Sequence, residues 1–581
     1  MNAARPSGSA ERPESSGPTG RLKRDVGPVG LLFAAIGSVI GSGWLFGAFN
    51  ASAIAGPSAI FSWLIAGGMI MLIGLCYAEI GPMFPISGGV VRYPHVIWGS
   101  FGSFSMGWIM WMSTAATPAI EVEGALQYAT KYAPFTALAK QGGTSAQVLT
   151  PLGIVVAIVL LAAFTIVNYF GVRLFSQINN VMVWWKLGII VLVIAAFIVT
   201  AVAATGGSAF ANFSSHQFAP GGLSGVFVCI ATAGITFSFL GFRQGIELAG
   251  ETNNPQRNIP LALIGSVTIT GVLYMLLQVA FTLMVPRSVL RHSDGWLNLA
   301  FANDFGPLAA LALIGGLGWL AYLLYFDAVV SPINTGLIYT TVTSRVSYAV
   351  GRNGNGPGWL ARNNKHGVPH LSLLLSFLVS IVLLLPFPSW QQLVGFITSA
   401  TVLTFGTGPL ALVVFRRTLP DRHRPFRLPG GHIVPFLAFY CTNMIMYWAG
   451  WQTNSKLLIA VLIGYVFFAL YGILGHRRQM PRLDFGHGFF WIIPWLIMFG
   501  LVSWLFDPAE PVIKGGFFWV FLINLGVSLL IYVIAINSAL PTARLKQYVD
   551  AVEEESRIDD ESHTEEPTIT ASGRFDAGRG G

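Results

Sequence analysis

The residues that could do chemistry in this 581-residue chain are few, and the first group is a run of small ones, Gly37-Ser38-Val39-Ile40-Gly41-Ser42-Gly43-Trp44. A glycine costs about 1 kcal/mol relative to alanine inside a helix, so three glycines within seven residues strain a helical reading. Small residues also let helices pack closely. Gly41-Ser42-Gly43 is denser than packing needs, however, and the spacing predicts an unwound stretch. A second interruption, Ile235-Thr236-Phe237-Ser238-Phe239-Leu240-Gly241-Phe242-Arg243, sets small and polar residues and then an arginine into another apolar run. Where a helix breaks, the amide N–H groups that open its second half lack partners and carry partial positive charge, which suits a carboxylate. The carbonyls that end its first half suit an ammonium group. Two such breaks facing each other match a zwitterion, an α-amino acid. On this reading Gly41, Ser42 and Gly43 take the carboxylate, mainly by backbone. Carbonyls near Ile36, Phe237 and Phe239 take the amine, and Ser238 joins the same group.

The second group is ionisable residues set in apolar sequence. A charge at the centre of a bilayer costs about 2.5–3.5 kcal/mol on insertion scales, so each is a candidate for function. Lys186 follows Trp184 and Trp185 well inside an apolar run; a lysine snorkelling to the membrane surface is the plainer account. Arg243 has two readings of equal weight, an ion pair with Glu247 one turn on and a counter-charge for an anionic substrate. Glu247 and Glu251 share a face, with Glu251 at the end of the span. Glu121 and Glu123 are two apart and point to different sides, so one faces the pathway and the other the outer interface. Asp327, with Ser331 one turn later, is a candidate proton carrier, or else a paired structural carboxylate.

These groups need elements to hold them. Hydrophobic residues make up 54% of the chain and charged residues 10%, against about 25% in a soluble domain. Mean hydropathy is +0.65. That excludes an ordinary soluble enzyme, a disordered protein and a small secreted scaffold. A spanning helix needs about 20 apolar residues. Fourteen runs qualify: 27–50, 54–80, 97–130, 151–170, 177–203, 223–250, 259–285, 307–342, 371–388, 391–415, 431–451, 455–475, 487–506 and 515–537. The third and eighth exceed what a bilayer requires, so they tilt or extend into solvent. With the N-terminus inside, the inner segments near spans hold 20 Lys and Arg and the outer loops 6. That asymmetry places both termini in the cytoplasm. It also accounts for the net charge of +8 without nucleic acid.

The interruptions fall in the first and sixth spans, five apart, as expected for two five-helix repeats of inverted topology around a midplane site. The expected architecture is therefore an all-α integral membrane protein of about 14 helices. It divides into a disordered tail over 1–26, a ten-helix inverted-repeat transport core over 27–416, four additional helices over 417–540 and an acidic disordered tail over 541–581. Cys76, Cys229 and Cys441 all sit in apolar runs and form neither a disulfide framework nor a metal spacing. There is no HExxH, Walker A or nucleophile-elbow motif, so no enzyme, metal or cofactor is expected. A channel would need a continuous polar pore, and a transporter-like sensor would need a folded output domain that the short tails lack.

The chain resembles the amino acid–polyamine–organocation (APC) superfamily of permeases. The resemblance rests on residues 36–44, on Gly241-Phe242 through Ala249-Gly250-Glu251 and Asn254-Pro255-Gln256-Arg257-Asn258-Ile259-Pro260, and on Ser344-Arg345-Val346-Ser347-Tyr348-Ala349 to Arg352-Asn353-Gly354. Leu317-Gly318-Trp319-Leu320-Ala321, Asp327-Ala328, residues 385–390 and Tyr447-Trp448-Ala449-Gly450-Trp451 are similar to its bacterial aspartate–proton symporter branch. The resemblance implies alternating access around a five-plus-five core. It places Lys186 where sodium-coupled relatives hold a cation, which favours proton coupling or exchange. Many permeases carry an acidic residue just after Gly-Phe in the sixth span, and Arg243 stands there instead, which favours an anionic substrate. The expected function is proton-coupled import of aspartate or glutamate across the bacterial inner membrane. Trp44 and Phe239 would line or gate the site, and Lys186, Asp327 and Glu121 would couple it to protons. An exchanger, or a permease for neutral amino acids, is the alternative.

Overall fold

The computed structural model describes residues 26–551 apart from 87, 142–143, 171–172, 215–216, 293–294, 302–304, 353–356, 365–367, 386–388, 474–483 and 515. The first apolar run forms two helices, α1 (Pro28–Val39) and α2 (Gly43–Ala55), separated by a non-helical stretch at 40–42. Pro28 opens α1 at a position where a missing N–H costs nothing. Next come α3 (Ala59–Met83) and α4 (Gly89–Ala129), the latter kinked at Gly99, whose φ of 73° only glycine adopts readily. An antiparallel hairpin, β1 (Thr136–Gln141) and β2 (Thr144–Leu149), follows outside the apolar runs, two short strands in an otherwise helical fold. The Thr150 hydroxyl caps α5 (Pro151–Tyr169) by accepting from the Gly153 amide at 3.1 Å. It is followed by α6 (Arg173–Thr205) and the short α7 (Ala211–Ser214).

The sixth run is broken as well. In it α8 (Gly222–Thr232) stops before Gly234, at φ +88°, and the chain resumes as a 3-10 turn, Phe237–Arg243, leading into α9 (Gln244–Glu247). The two parts are bent by 45°. The remainder is α10 (Pro255–Met284), α11 (Arg287–His292), α12 (Pro307–Ile314), α13 (Gly318–Arg352), α14 (His370–Leu384), α15 (Trp390–Phe405), α16 (Thr407–Thr418), α17 (Ile433–Trp448), α18 (Trp451–Ile473), α19 (Phe485–Leu505) and α20 (Phe517–Asn537). The eighth run is thus not one long tilted helix. Gly315 and Gly316, the latter at φ +76°, divide it into α12 and α13. Among the described residues nine helices are long and apolar enough to cross a membrane, ten with the bent pair counted as one span. The other apolar runs are also helical but shorter, interrupted or more polar.

The centre of the molecule is α4, which packs on α13, α15, α14 and α5. The sixth span reaches it through α9, while α1 and the Phe237–Arg243 turn pack on each other and on α10. Four further helices, α17–α20, pack on this assembly through α3, α4, α8, α15 and α16. Their interior carries satisfied polar groups: Trp495 Nε1 donates to Asn443 Oδ1 at 2.8 Å, and Asn443 Nδ2 to Ser528 Oγ at 2.8 Å. Trp98 of α4 stacks on Trp491 and donates to the Ala535 carbonyl at 2.9 Å. The last two spans therefore buttress α4 near its kink.

The tail expected to be disordered from Pro541 instead begins with a helix over 542–551. Leu545 and Val549, one turn apart, are buried, which explains why the chain continues to fold there. The Leu540 amide donates to the Ile97 carbonyl at 2.8 Å, and Arg544 pairs with Asp484 at 2.5 Å. Tyr548 packs edge-on against His95, centroids 5.0 Å apart. Burial, aided by Arg92 and opposed by Asp484, pushes the His95 imidazole from 6.5 down to about 4. Docking therefore prefers neutral His95. Its contribution is intact above about pH 6.5 and is lost as pH falls towards 4. Hydrogen exchange of residues 542–551, corrected for intrinsic rates, is expected to speed up between pH 7 and pH 5, and His95→Phe to remove that dependence. Equal protection at both pH values would disconnect His95 from docking.

Candidate functional site

The two breaks meet. A methyl group added at Gly43 would strike the Ser238 hydroxyl, and one at Gly241 would strike the backbone at Ser38-Val39. Glycine at these positions is what lets the two interrupted spans touch backbone to backbone. The stretch around Ser42 is held from two sides, by Glu121 of α4 and Trp390 of α15. The Ser42 amide donates to Glu121 Oε2 at 2.7 Å. The Ser42 hydroxyl accepts from Trp390 Nε1 of α15 at 2.8 Å. The Glu121 carboxyl also lies against Gly41, where a Cβ would come within 2.5 Å of it. The partial positive end of α2 is thus already occupied by a carboxylate of the chain's own.

Next to this lies a small cavity. Ser38 and Val39 line it from α1, Thr117 and Glu121 from α4, and Phe237, Leu240 and Arg243 from the broken sixth span. Tyr339 of α13 and Ile397 and Thr401 of α15 complete the wall. One enclosed space therefore has an acidic and a basic side chain on its lining. Arg243 is 1% exposed, and its guanidinium stacks over the Tyr339 ring at 5.0 Å. Nη1 lies 3.1 Å from the Met110 sulfur, while Nε has no hydrogen-bond partner among the described residues. The ion pair with Glu247 does not form, and Glu251 is paired with Arg345 at 3.0 Å instead. Trp390 is not on this lining; it packs on Phe46 and Phe237 beside the Ser42 junction.

Lys186 does not snorkel. It is fully buried, and its Nζ donates to the Gly37 carbonyl and to Thr335 Oγ1, both at 2.9 Å. It ties the end of α1 to α13. The Thr335 hydroxyl in turn lies 3.2 Å from the Ile40 carbonyl, at the break itself. Asp327 is fully buried and accepts at Oδ1 from Trp185 Nε1 at 2.7 Å and Ser331 Oγ at 2.6 Å.

Of the residues expected at the site, Phe237, Arg243 and Glu121 line the cavity, and Gly41, Ser42, Gly43 and Ser238 form the junction beside it. Others do not. Phe239 faces Trp63 and Tyr274, packing the back of the turn. Trp44 is fully buried but is not part of the cavity wall. The Ile36 carbonyl is engaged by the Ile40 amide at 2.9 Å, the bond that ends α1. Glu123 is not at an exposed interface; it is buried, with neither oxygen hydrogen-bonded among the described residues. Thr117, Tyr339, Thr401 and Trp390 were not foreseen. Tyr339 could have been found, since Asp327, Ser331, Thr335 and Tyr339 recur every four residues on one face of α13. No group of His, Cys, Asp and Glu among the described residues could hold a metal ion.

A profile of the amino acid permease family matches residues 26–468. A glutamate/serine transporter of Bacillus subtilis is 35% identical over 550 residues, 93% of this chain and 97% of that protein. An aspartate–proton symporter of the same organism is 33% identical over 488 residues, 84% and 91% of the two chains. A branched-chain amino acid permease, also from Bacillus subtilis, is 28% identical over 464 residues, 78% and 93%.

Proposed function

Because this chain belongs to the amino acid permease family of the APC superfamily, a family of transporters and not of enzymes, we propose that it is a secondary importer of acidic amino acids, aspartate or glutamate, driven by protons. The observation that carries the substrate class is Arg243. It brings a buried positive charge to the cavity wall that forms no ion pair within 4 Å among the described residues, with Glu247 and Glu121 acting on it only at longer range, and a substrate side-chain carboxylate can pair with it directly. The substrates for which two relatives are named, glutamate or serine and aspartate, agree with this, while the branched-chain relative is named for neutral substrates.

Proton coupling follows from Glu121. Its carboxylate holds the Ser42 amide that the substrate's own α-carboxylate needs. Two carboxylates cannot share that amide cheaply. Protonation of Glu121 weakens its hold and frees the helix end, so substrate and proton enter together. Loss of the proton returns Glu121 to Ser42 and expels the substrate. Lys186 links the same break to α13 and senses the charge on Glu121. The core over 27–416 carries the alternating motion, and the helices of 417–540 support α4. The excess of Lys and Arg on one side of the spans supports a reading with both termini in the cytoplasm of a bacterial cell and the chain in its inner membrane.

The test is uptake of labelled aspartate into proteoliposomes with and without an inside-alkaline pH gradient. Accumulation that needs the gradient and collapses with a protonophore is the expected result. Uptake only against internal amino acid would make the protein an exchanger. Serine or leucine transport without aspartate transport would remove the acidic substrate.

A further inference from the structure

We propose that the helix over 542–551 is an autoinhibitory clamp: docked at the kink of α4, it holds residues 89–98 of that helix against the end of the broken sixth span and slows the opening of the substrate cavity towards the face on which the tail lies. The proposal rests on the transport reading above and adds a regulatory element to it.

Three features set this helix apart from a structural support. The first is that it is appended to the fold. The last span, α20, ends at Asn537, and residues 538–541 turn the chain back onto α4. The contacts that α19 and α20 themselves make with Trp98, through Trp491 and the Ala535 carbonyl, lie before that turn and do not depend on it. The second is that its hold is local. Leu545 and Val549 are its buried apolar groups, and the Arg544 side chain that pairs with Asp484 stays 42% exposed. A segment held by so few buried groups opens without global unfolding. The third is its position at the point where α4 yields. A helix end leaves carbonyls without donors, and the Leu540 amide serves the one at Ile97, two residues before the kink. Asp484 fills the space beside Gly99, where a Cβ would come within 2.6 Å of its Oδ2.

Residues 89–98 carry the effect onward. The Gly88 amide donates to the Glu247 carbonyl at 3.3 Å, which joins the start of α4 to the end of α9. Between that bond and the kink, the Tyr93 hydroxyl donates to the Phe84 carbonyl at 3.1 Å and its ring lies edge-on to Phe415. The α9 helix continues the turn whose Phe237, Leu240 and Arg243 line the cavity. A continuous line of contacts therefore runs from Leu540 to Ile97, along α4 to Gly88, across to Glu247 and back to Arg243. In alternating access a broken span moves against its neighbours. Contacts present in one state and absent from the other favour the first. With the helix docked, the bond from Gly88 to Glu247 is backed by a fixed segment. With it released, α4 flexes at Gly99 and the end of the sixth span moves more freely.

The experiment uses the full chain in vesicles whose tail face is outward. Ser38→Cys, in a background of Cys76→Ala, Cys229→Ala and Cys441→Ala, places a thiol on the cavity wall, and a membrane-impermeant maleimide added on the tail face reads how often the cavity opens there. Two sets of changes release the helix. Leu545→Asp with Val549→Asp puts carboxylates into its apolar contact, and Lys546→Pro breaks it from its exposed side. Hydrogen exchange of residues 542–551 verifies the release. Both are expected to speed labelling about fivefold or more, the scale of a modest coupling between sites, and to speed aspartate counterflow in the unmodified cysteine background about threefold. Labelling unchanged or slower with the helix released would overturn the proposal and make the helix a support. If Leu545→Asp with Val549→Asp does not fold, Lys546→Pro decides by the same criterion. Absence of aspartate counterflow in wild type would reject the acidic substrate, while the labelling rates would still decide for or against the clamp.

Discussion

Arg243→Gln is expected to raise the aspartate concentration for half-maximal transport by about 100-fold or more, because removing one member of a desolvated charge pair costs about 3–5 kcal/mol. The guanidinium is almost fully buried, and its contacts in the protein are a ring face and a sulfur, neither of which neutralises it. Glu247, one turn further on, makes no ion pair with it and acts on it only at longer range, which leaves the guanidinium open to a direct external partner. Glutamine keeps the polarity and most of the volume but not the charge. Serine transport, if present, should be unchanged or improved in the same variant, and that contrast separates a substrate contact from a structural one. Arg243→Lys should lie between, since an ammonium keeps the charge but loses the planar fork that stacks on Tyr339 and matches a carboxylate. The measurement is initial uptake of labelled aspartate and serine over a concentration series, with thermal stability as a check on folding. Equal losses for both substrates would make Arg243 a packing residue; no loss for aspartate would remove the anionic substrate.

The sequence shows the breaks because breaking a helix takes particular residues. Gly41-Ser42-Gly43 and the Phe237–Arg243 stretch are visible for that reason; Lys186 stands out too, as a lysine deep in an apolar run, but sequence alone leaves snorkelling open for it. Rotational phase is what could not be read. The centrally placed α4 is buried on nearly every side, so no polar face shows which of Glu121 and Glu123 meets the site. Phe239 and Trp44 stand next to the breaks in sequence, yet an aromatic at a break can equally pack behind it, as Phe239 does against Trp63 and Tyr274. Trp390 and Thr401 come from a helix without any break, and threonines and tryptophans in a wholly buried helix look like core. The amide of Ser42 was assigned to the substrate from backbone chemistry alone. In the fold that amide donates to Glu121, 79 residues away in sequence, a partner that backbone chemistry alone does not reveal. The helix at 542–551 was legible in the spacing of Leu545 and Val549, but the acidic residues beyond them drew the whole segment into a solvated tail.

Lys186→Ala is expected to abolish gradient-driven accumulation, with an initial rate lower by about 100-fold, the scale on which a positioned proton-transfer group acts. Two separable losses contribute. One is mechanical: the ammonium bonds to the Gly37 carbonyl and to Thr335 are charge-assisted, worth about 1.5–3 kcal/mol each, and their removal leaves a buried carbonyl short of a donor and α1 untied from α13. The other is electrostatic: Lys186 is the cation that Glu121 and Asp327 both sense, and without it neither carboxylate can ionise cheaply in the apolar interior. Lys186→Met separates them, since it refills the volume without restoring bonds or charge, and Lys186→Arg restores charge with a different geometry. Counterflow should survive in Lys186→Arg better than in Lys186→Ala, whereas proton uptake should be lost in both, because a guanidinium does not release its proton at any pH the transporter meets. Accumulation retained in Lys186→Ala would leave Lys186 a tether only. Accumulation retained in Lys186→Arg would require a fixed positive charge there and no proton, and would move the coupling step to Glu121 alone.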